Sequence, residues 1–246
     1  MTFSLRTYIN FAFQIKFQMH FNTRRTSFQK QFYRAIFIPA LIGIFMIISL
    51  VFERGMGLDF YAGGIYPRRP EHLWGIFTII FIHSGWSHLI NNLISFEILS
   101  GFLFFFYREI AIKVFIISYI VSGLLLWMIG RDAWHVGASG LIYALAFFVF
   151  FSGFIREYVP LIAVSLIVAF VYGSMVWHVF PWQANDPISW EGHLSGAFIG
   201  LTLAIWYRHS PPQRPVDLWD DESNDDESSM DEFSSEIINE NEIDSE

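Results

Sequence analysis

The sequence contains no cysteine. Disulfides, thiolate nucleophiles and cysteine-ligated metals are therefore excluded. Charge is also scarce. Asp, Glu, Lys and Arg make up 15% of the chain, against about 25% in ordinary soluble domains. Residues 216–246 contain no Lys or Arg, yet they hold fourteen of the 23 acidic residues. Residues 1–215 keep all 15 basic residues and nine acids, a local net charge of +6. The acidic pI of about 5.4 is therefore a property of the tail. It supports neither an acidic body nor a nucleic-acid partner.

What fills the chain is apolar. Hydrophobic residues make up 54% and aromatics 19%, with a mean hydropathy of +0.42. Apolar stretches occupy 35–52, 110–128, 141–154, 161–179 and 197–206, the last with a lead-in from Trp190. A sixth, 86–106, is interrupted by polar residues. Most approach the roughly 20 residues that span a bilayer. The stretch at 141–154 is short unless it begins at Ser139, which suggests a helix shielded by its neighbours. The pattern predicts an all-α membrane protein with six transmembrane helices, whose partner is the lipid bilayer.

Orientation follows from Lys and Arg. Eleven fall on the side of the N-terminal segment, the second and fourth loops and the exit; four (Arg54, Arg68, Arg69 and Arg131) fall on the other. Both termini are expected in the cytoplasm. Helices two, four and six then all run from outside to inside, and their starts carry His88 and Asn92, Ser139, and His193. Polar groups far apart in sequence thus land at one depth near the outer face, where they are costly and usually functional.

Three segments flank or interrupt the bundle. Residues 1–34 form a basic cytoplasmic N-terminal segment and 35–207 the transmembrane domain. Residues 208–246 form an acidic tail whose composition predicts disorder. Within the first, Phe11, Phe13, Ile15, Phe17, Met19 and Phe21 alternate with period two, the pattern of a strand or an extended segment. Residues 53–85 are too long for a tight turn and rich in Gly, Pro and aromatics; they are expected to form a structured, membrane-embedded loop.

A serine and a histidine in membrane helices are the minimum for nucleophilic acyl chemistry. Ser139 lies in Gly137-Ala138-Ser139-Gly140, and His193 opens another helix. Taken singly, the residues leave blander readings open. Ser139 could bond back to its own helix, His193 could be interfacial, and Asn92 could join two helices. A metal site from His83, His88, Asn92 and His193 is set aside. There is no H-E-x-x-H motif, and His83 and His88 differ by five residues, off one helical face.

Together these residues resemble the rhomboid intramembrane serine proteases over roughly residues 35–207. The resemblance rests on H-S-G-W-S-H-L-I-N-N at 83–92, G-A-S-G-L-I-Y at 137–143 and G-H-L-S-G-A-F-I-G at 192–200. It implies a rhomboid-like six-helix bundle with an embedded first loop. It also implies an intramembrane serine endopeptidase that cleaves transmembrane protein substrates in or beside their spans, using a Ser139–His193 dyad and no cofactor or metal. Tyr143 would pack beneath His193. His88 and Asn92 would join the Ser139 N–H as oxyanion donors. Gly196 and Gly200 would permit close helix approach against Gly140, Gly137 would support the Ser139 motif, and His83 would have a loop role. The expected location is a bacterial inner (plasma) membrane, with a cytoplasmic partner open to the acidic tail. The rival reading is a catalytically silent relative that binds transmembrane segments.

Two features depart from the family pattern. Its first-loop Trp-Arg pair is Trp74-Gly75 here, so the loop is expected to be anchored differently, with Arg68 and Arg69 nearby. Glu97 lies inside the second helix, rotated by about 140° from Asn92. It is expected to face away from the catalytic pocket.

Overall fold

The computed structural model describes residues 5–181 and 188–213, with side chains from residue 29 onward. Among the described residues there are six α-helices: α1 (Leu5–Met56), α2 (Trp86–Phe106), α3 (Ala111–Ile129), α4 (Ser139–Ile155), α5 (Val159–Tyr172) and α6 (Trp190–Trp206). A 3-10 segment, Gly173–Val179, continues α5. An isolated bridge between Ile65 and His135 is the only β-type pairing among the described residues.

Four stretches are long and apolar enough to cross a membrane: Gln29–Met56, Trp86–Phe106, Ala111–Ile129 and Val159–Val179. The other two helices, α4 and α6, have 17 residues each. These short helices form the most extensive helix pair, and most of α4 is buried. The outer surface is apolar, and the largely apolar interior also holds polar groups. Phe170, Ile94, Ile116 and Trp206 face outward. Ser100, Ser118, Ser122, Ser152, Ser165 and Ser195 lie inside. The hydroxyls of Ser100, Ser122, Ser165 and Ser195 bond to carbonyls, as Ser165 does to those of Val149 and Leu161 at 3.0 Å. In a medium without water this satisfies them internally.

The alternating residues 11–21 lie within helix α1, not in a strand. A lone strand leaves its backbone groups unpaired, whereas a helix satisfies them within the segment. Period-two spacing therefore misleads where no partner strand exists. The acidic tail from residue 214 lies outside the described residues.

Residues 57–85 form the first loop, built from 3-10 turns at Tyr61–Gly63, Pro70–Phe77 and Ile79–Phe81. Arg68 anchors it, donating to the Gly130 carbonyl and to Asp132, both at 2.6 Å. Trp127 Nε1 donates to the Arg69 carbonyl at 3.1 Å, and the Tyr119 hydroxyl to that of Phe77 at 2.6 Å. Gly75 is buried, and a side chain there would strike the Gly64 backbone. This explains why no arginine follows Trp74. Glu97 does turn from the interior cavity: its carboxylate packs against the α1 backbone at Gly43.

At the opposite end, Arg156 closes α4. Its Nε donates to Ser152 Oγ at 2.8 Å. Its Nη atoms donate to the carbonyls of Tyr207 at 2.6 Å, Pro212 at 3.1 Å, and Ser210. The guanidinium carbon stands 5.5 Å from the Tyr107 ring centre.

Candidate active site

The pairing of α4 and α6 begins with small residues. A Cβ at Gly196 would collide with the Gly140 carbonyl, and one at Gly200 with the Ala144 carbonyl. Only hydrogen at these positions lets the two backbones touch. The contact brings the starts of α4 and α6 together, and with them Ser139 and His193. Both residues line a cavity of about 890 Å³, which His88, Asn92, Tyr143, Tyr172, Met175 and His178 also border. A second pocket of about 20 Å³, room for about one water, lies behind Ser139 between Ser122, His135 and Ser189.

His193 is 7% exposed. Its ring stacks on Tyr143, with centroids 4.1 Å apart and planes 9° apart. Its Nδ1 lies 3.0 Å from the His178 carbonyl. A carbonyl only accepts, so Nδ1 carries the proton and Nε2 is the basic nitrogen. The Tyr143 hydroxyl donates to the Met175 carbonyl at 2.9 Å. Both acceptors belong to the 3-10 segment that continues α5. The imidazole is thus held by a ring beneath it and a backbone carbonyl at its far edge. These acceptors carry no sequence signal, because every residue has a carbonyl.

His88 is oriented by the same logic. The Ser84 N–H points at its Nδ1 from 3.5 Å, and Ser84 Oγ lies at 3.1 Å. Nδ1 accepts, which leaves Nε2–H as the donor. Gly137 has φ of +107°, a region that favours glycine. A Cβ there would stand 2.7 Å from His88 Nε2 and 3.9 Å from Asn92 Nδ2. Asn92 is buried and its Nδ2 donates to the His88 carbonyl at 2.9 Å. Two side-chain donors therefore converge two residues before Ser139. The Ser139 N–H stands at the start of α4, where amides lack intrahelical acceptors and the helix dipole favours negative charge.

His83 is fully buried, edge-on to His88 with ring centroids 5.1 Å apart. Burial, and then the neighbouring His88, pull its pKa down to about 4. Among the described residues, no group of three or more His, Asp or Glu gathers as metal ligands would.

Sequence reasoning passed over a second polar cluster. Arg131, His135, Ser189 and Glu191 meet at the start of α6. Their separation in sequence, with no motif joining them, gave no signal.

Comparison with known proteins places these residues in context. The family model of the Rhomboid domain matches residues 70–210. An uncharacterized protein of Mycobacterium tuberculosis is 32% identical over 186 residues, covering 72% of this chain and 75% of its own. Rhomboid-related protein 2 of Mus musculus is 27% identical over 147 residues, covering 56% and 49%. The rhomboid protease GlpG of Salmonella paratyphi A is 24% identical over 180 residues, covering 69% and 61%.

Proposed function

The chain belongs to the rhomboid family of integral membrane proteins, and from that premise we propose that it is an intramembrane serine endopeptidase with Ser139 as nucleophile and His193 as base. The observation that carries this reading is the set of His193: stacked on Tyr143, tied through Nδ1 to a carbonyl, and facing the cavity that Ser139 lines.

In this mechanism Ser139 Oγ attacks the scissile carbonyl carbon while His193 Nε2 takes its proton. The carbonyl π electrons move to oxygen. The Ser139 N–H, His88 Nε2–H and Asn92 Nδ2–H stabilise the resulting anion. The tetrahedral centre collapses, the C–N bond breaks, and His193 returns the proton to the leaving amine. Water then repeats the sequence on the acyl-enzyme and regenerates Ser139.

The proposed substrate is a transmembrane segment of another protein. α2 and α5 make little direct contact, and the cavity reaches both at Ile94, Ser95 and Tyr172. A segment entering from lipid between them meets Ser139 without crossing the embedded loop. Its helix must open locally, because helical carbonyls are occupied. The protein is proposed to lie in a bacterial inner membrane with both termini cytoplasmic, which puts the dyad near the outer face.

A fluorophosphonate probe tests the reading. It is expected to label the wild type and to leave Ser139→Ala and His193→Ala unlabelled, with cleavage of a transmembrane substrate lost in both. An unlabelled wild type would favour a silent binding protein instead.

A further inference from the structure

The residues just before α6 form a closed set of bonds. The His135 Nε2 faces the Arg131 carbonyl at 3.2 Å. That oxygen only accepts, so Nε2 carries the proton and Nδ1 is left as an acceptor. Ser189 Oγ lies 2.6 Å from that Nδ1 and donates to it. The hydroxyl oxygen then accepts the Gly192 N–H at 3.3 Å. Ser189 is thus the N-cap of α6, and the direction of its hydroxyl is dictated by His135. Burial lowers the His135 pKa below its ordinary value, the partial opposition of Arg131's carbonyl and Glu191 notwithstanding, so the neutral tautomer persists near pH 7.

His135 itself is held in place. It is 3% exposed. Its N–H and carbonyl both pair with Ile65 of the embedded loop at 2.9 Å. A parallel contact reinforces the link: the Arg131 N–H donates to Glu191 at 3.2 Å, and Arg131 Nη2 donates to the Ile188 carbonyl at 2.8 Å.

Position in the chain gives this cluster its meaning. Ser139 lies four residues beyond His135, and His193 lies four residues beyond Ser189. One short hydrogen bond therefore ties together the two chain segments that deliver the nucleophile and the base, at the same remove from each. We propose that the His135–Ser189 pair is the positioning device of the dyad, holding the first turn of α6 in the setting that aims His193 at Ser139. This rests on the dyad reading above. Neither residue touches the reacting atoms in this role; both act through His193.

The test uses the full chain in detergent, with the initial rate of fluorophosphonate labelling and the kcat and KM for a transmembrane substrate. Small displacements of a catalytic group cost up to about 100-fold. Ser189→Ala is therefore expected to lower labelling and kcat by roughly 10- to 100-fold, with KM within about twofold of wild type. Ser189→Thr, which keeps both donor and acceptor, is expected to restore the rate to within about threefold. The double variant His135→Ala/Ser189→Ala is expected to be no slower than the slower single, because both cut one link. If Ser189→Ala does not fold, His135→Phe keeps the ring but removes the acceptor and carries the same expectation. Labelling of Ser189→Ala within about twofold of wild type overturns the proposal. So do losses that multiply in the double variant, or a loss expressed in KM alone. A wild type that is neither labelled nor active overturns the dyad reading first, and this proposal with it.

Discussion

At the scale of the residue, protonation and donor direction decide the chemistry. In the proposed mechanism His88 and Asn92, beside Gly137, serve as oxyanion donors, and one such donor is typically worth on the order of 10²–10³ in rate. His88→Ala and Asn92→Ala are each expected to lower kcat by about that factor with KM little changed, as steady-state kinetics will record. His83 makes a different prediction. Burial, and then the neighbouring His88, hold its pKa down at about 4 in the fold, against about 6.5 for an ordinary histidine. Between those values the unfolded chain binds more protons, so acid favours unfolding. The contribution is complete above pH 6.5 and fades as pH falls through 4, by up to about 3 kcal/mol. Unfolding midpoints of wild type are expected to drop between pH 7 and 5 more steeply than those of His83→Phe. Much of this scale was legible beforehand. The H-x4-H-x3-N and G-x-S-G spacings singled out His88, Asn92 and Ser139. The carbonyls of His178 and Met175 were not legible, because backbone acceptors are identical at every position and only the fold selects them.

At the scale of the element, the seam between α4 and α6 governs. Adding a methyl group at Gly196 drives it into the Gly140 backbone, which cannot rotate away as a side chain would. Overpacking of this kind typically costs about 1–3 kcal/mol, and it also parts the helix starts that hold Ser139 and His193. Gly196→Ala is expected to lower the thermal midpoint and to abolish most labelling by the fluorophosphonate probe. Gly101, in α2, has nothing within 4 Å of its would-be Cβ. Gly101→Ala is expected to leave both measurements unchanged or to raise stability slightly, since Ala is the better helix former. Apolar runs located these elements well. The stretch at 86–106 coincides with α2, and that at 110–128 is displaced by one residue from α3. The run at 161–179 hid a change of winding: α5 ends at Tyr172 and a 3-10 segment completes it. Hydropathy does not distinguish the two windings, because it records composition and not hydrogen-bond register. The alternation at 11–21 failed for a related reason. Period-two spacing indicates a strand only where another strand is available to pair with.

At the scale of the whole molecule, charge is segregated by sequence position. The fourteen acids after residue 216 are expected on the cytoplasmic side, and the dyad near the opposite face. Through water, charges are screened within roughly 8 Å at physiological salt, whereas the hydrocarbon core is about 30 Å thick. Truncation after Pro215 is therefore expected to leave any cleavage rate of the detergent-solubilised protein nearly unchanged; a tenfold loss in a folded truncation would refute this. The grip of Arg156 on the chain between Tyr207 and Pro212 bears on the same expectation. Three backbone carbonyls and a serine hydroxyl share one guanidinium there, over the face of Tyr107. In mechanical terms it works as strain relief on a cable: tension applied beyond Gln213 is taken up at Arg156 and passed to α4 before it can unwind the last turn of α6. An unfoldase or a binding partner pulling on this end would have to break that grip before the helix carrying His193 felt the force.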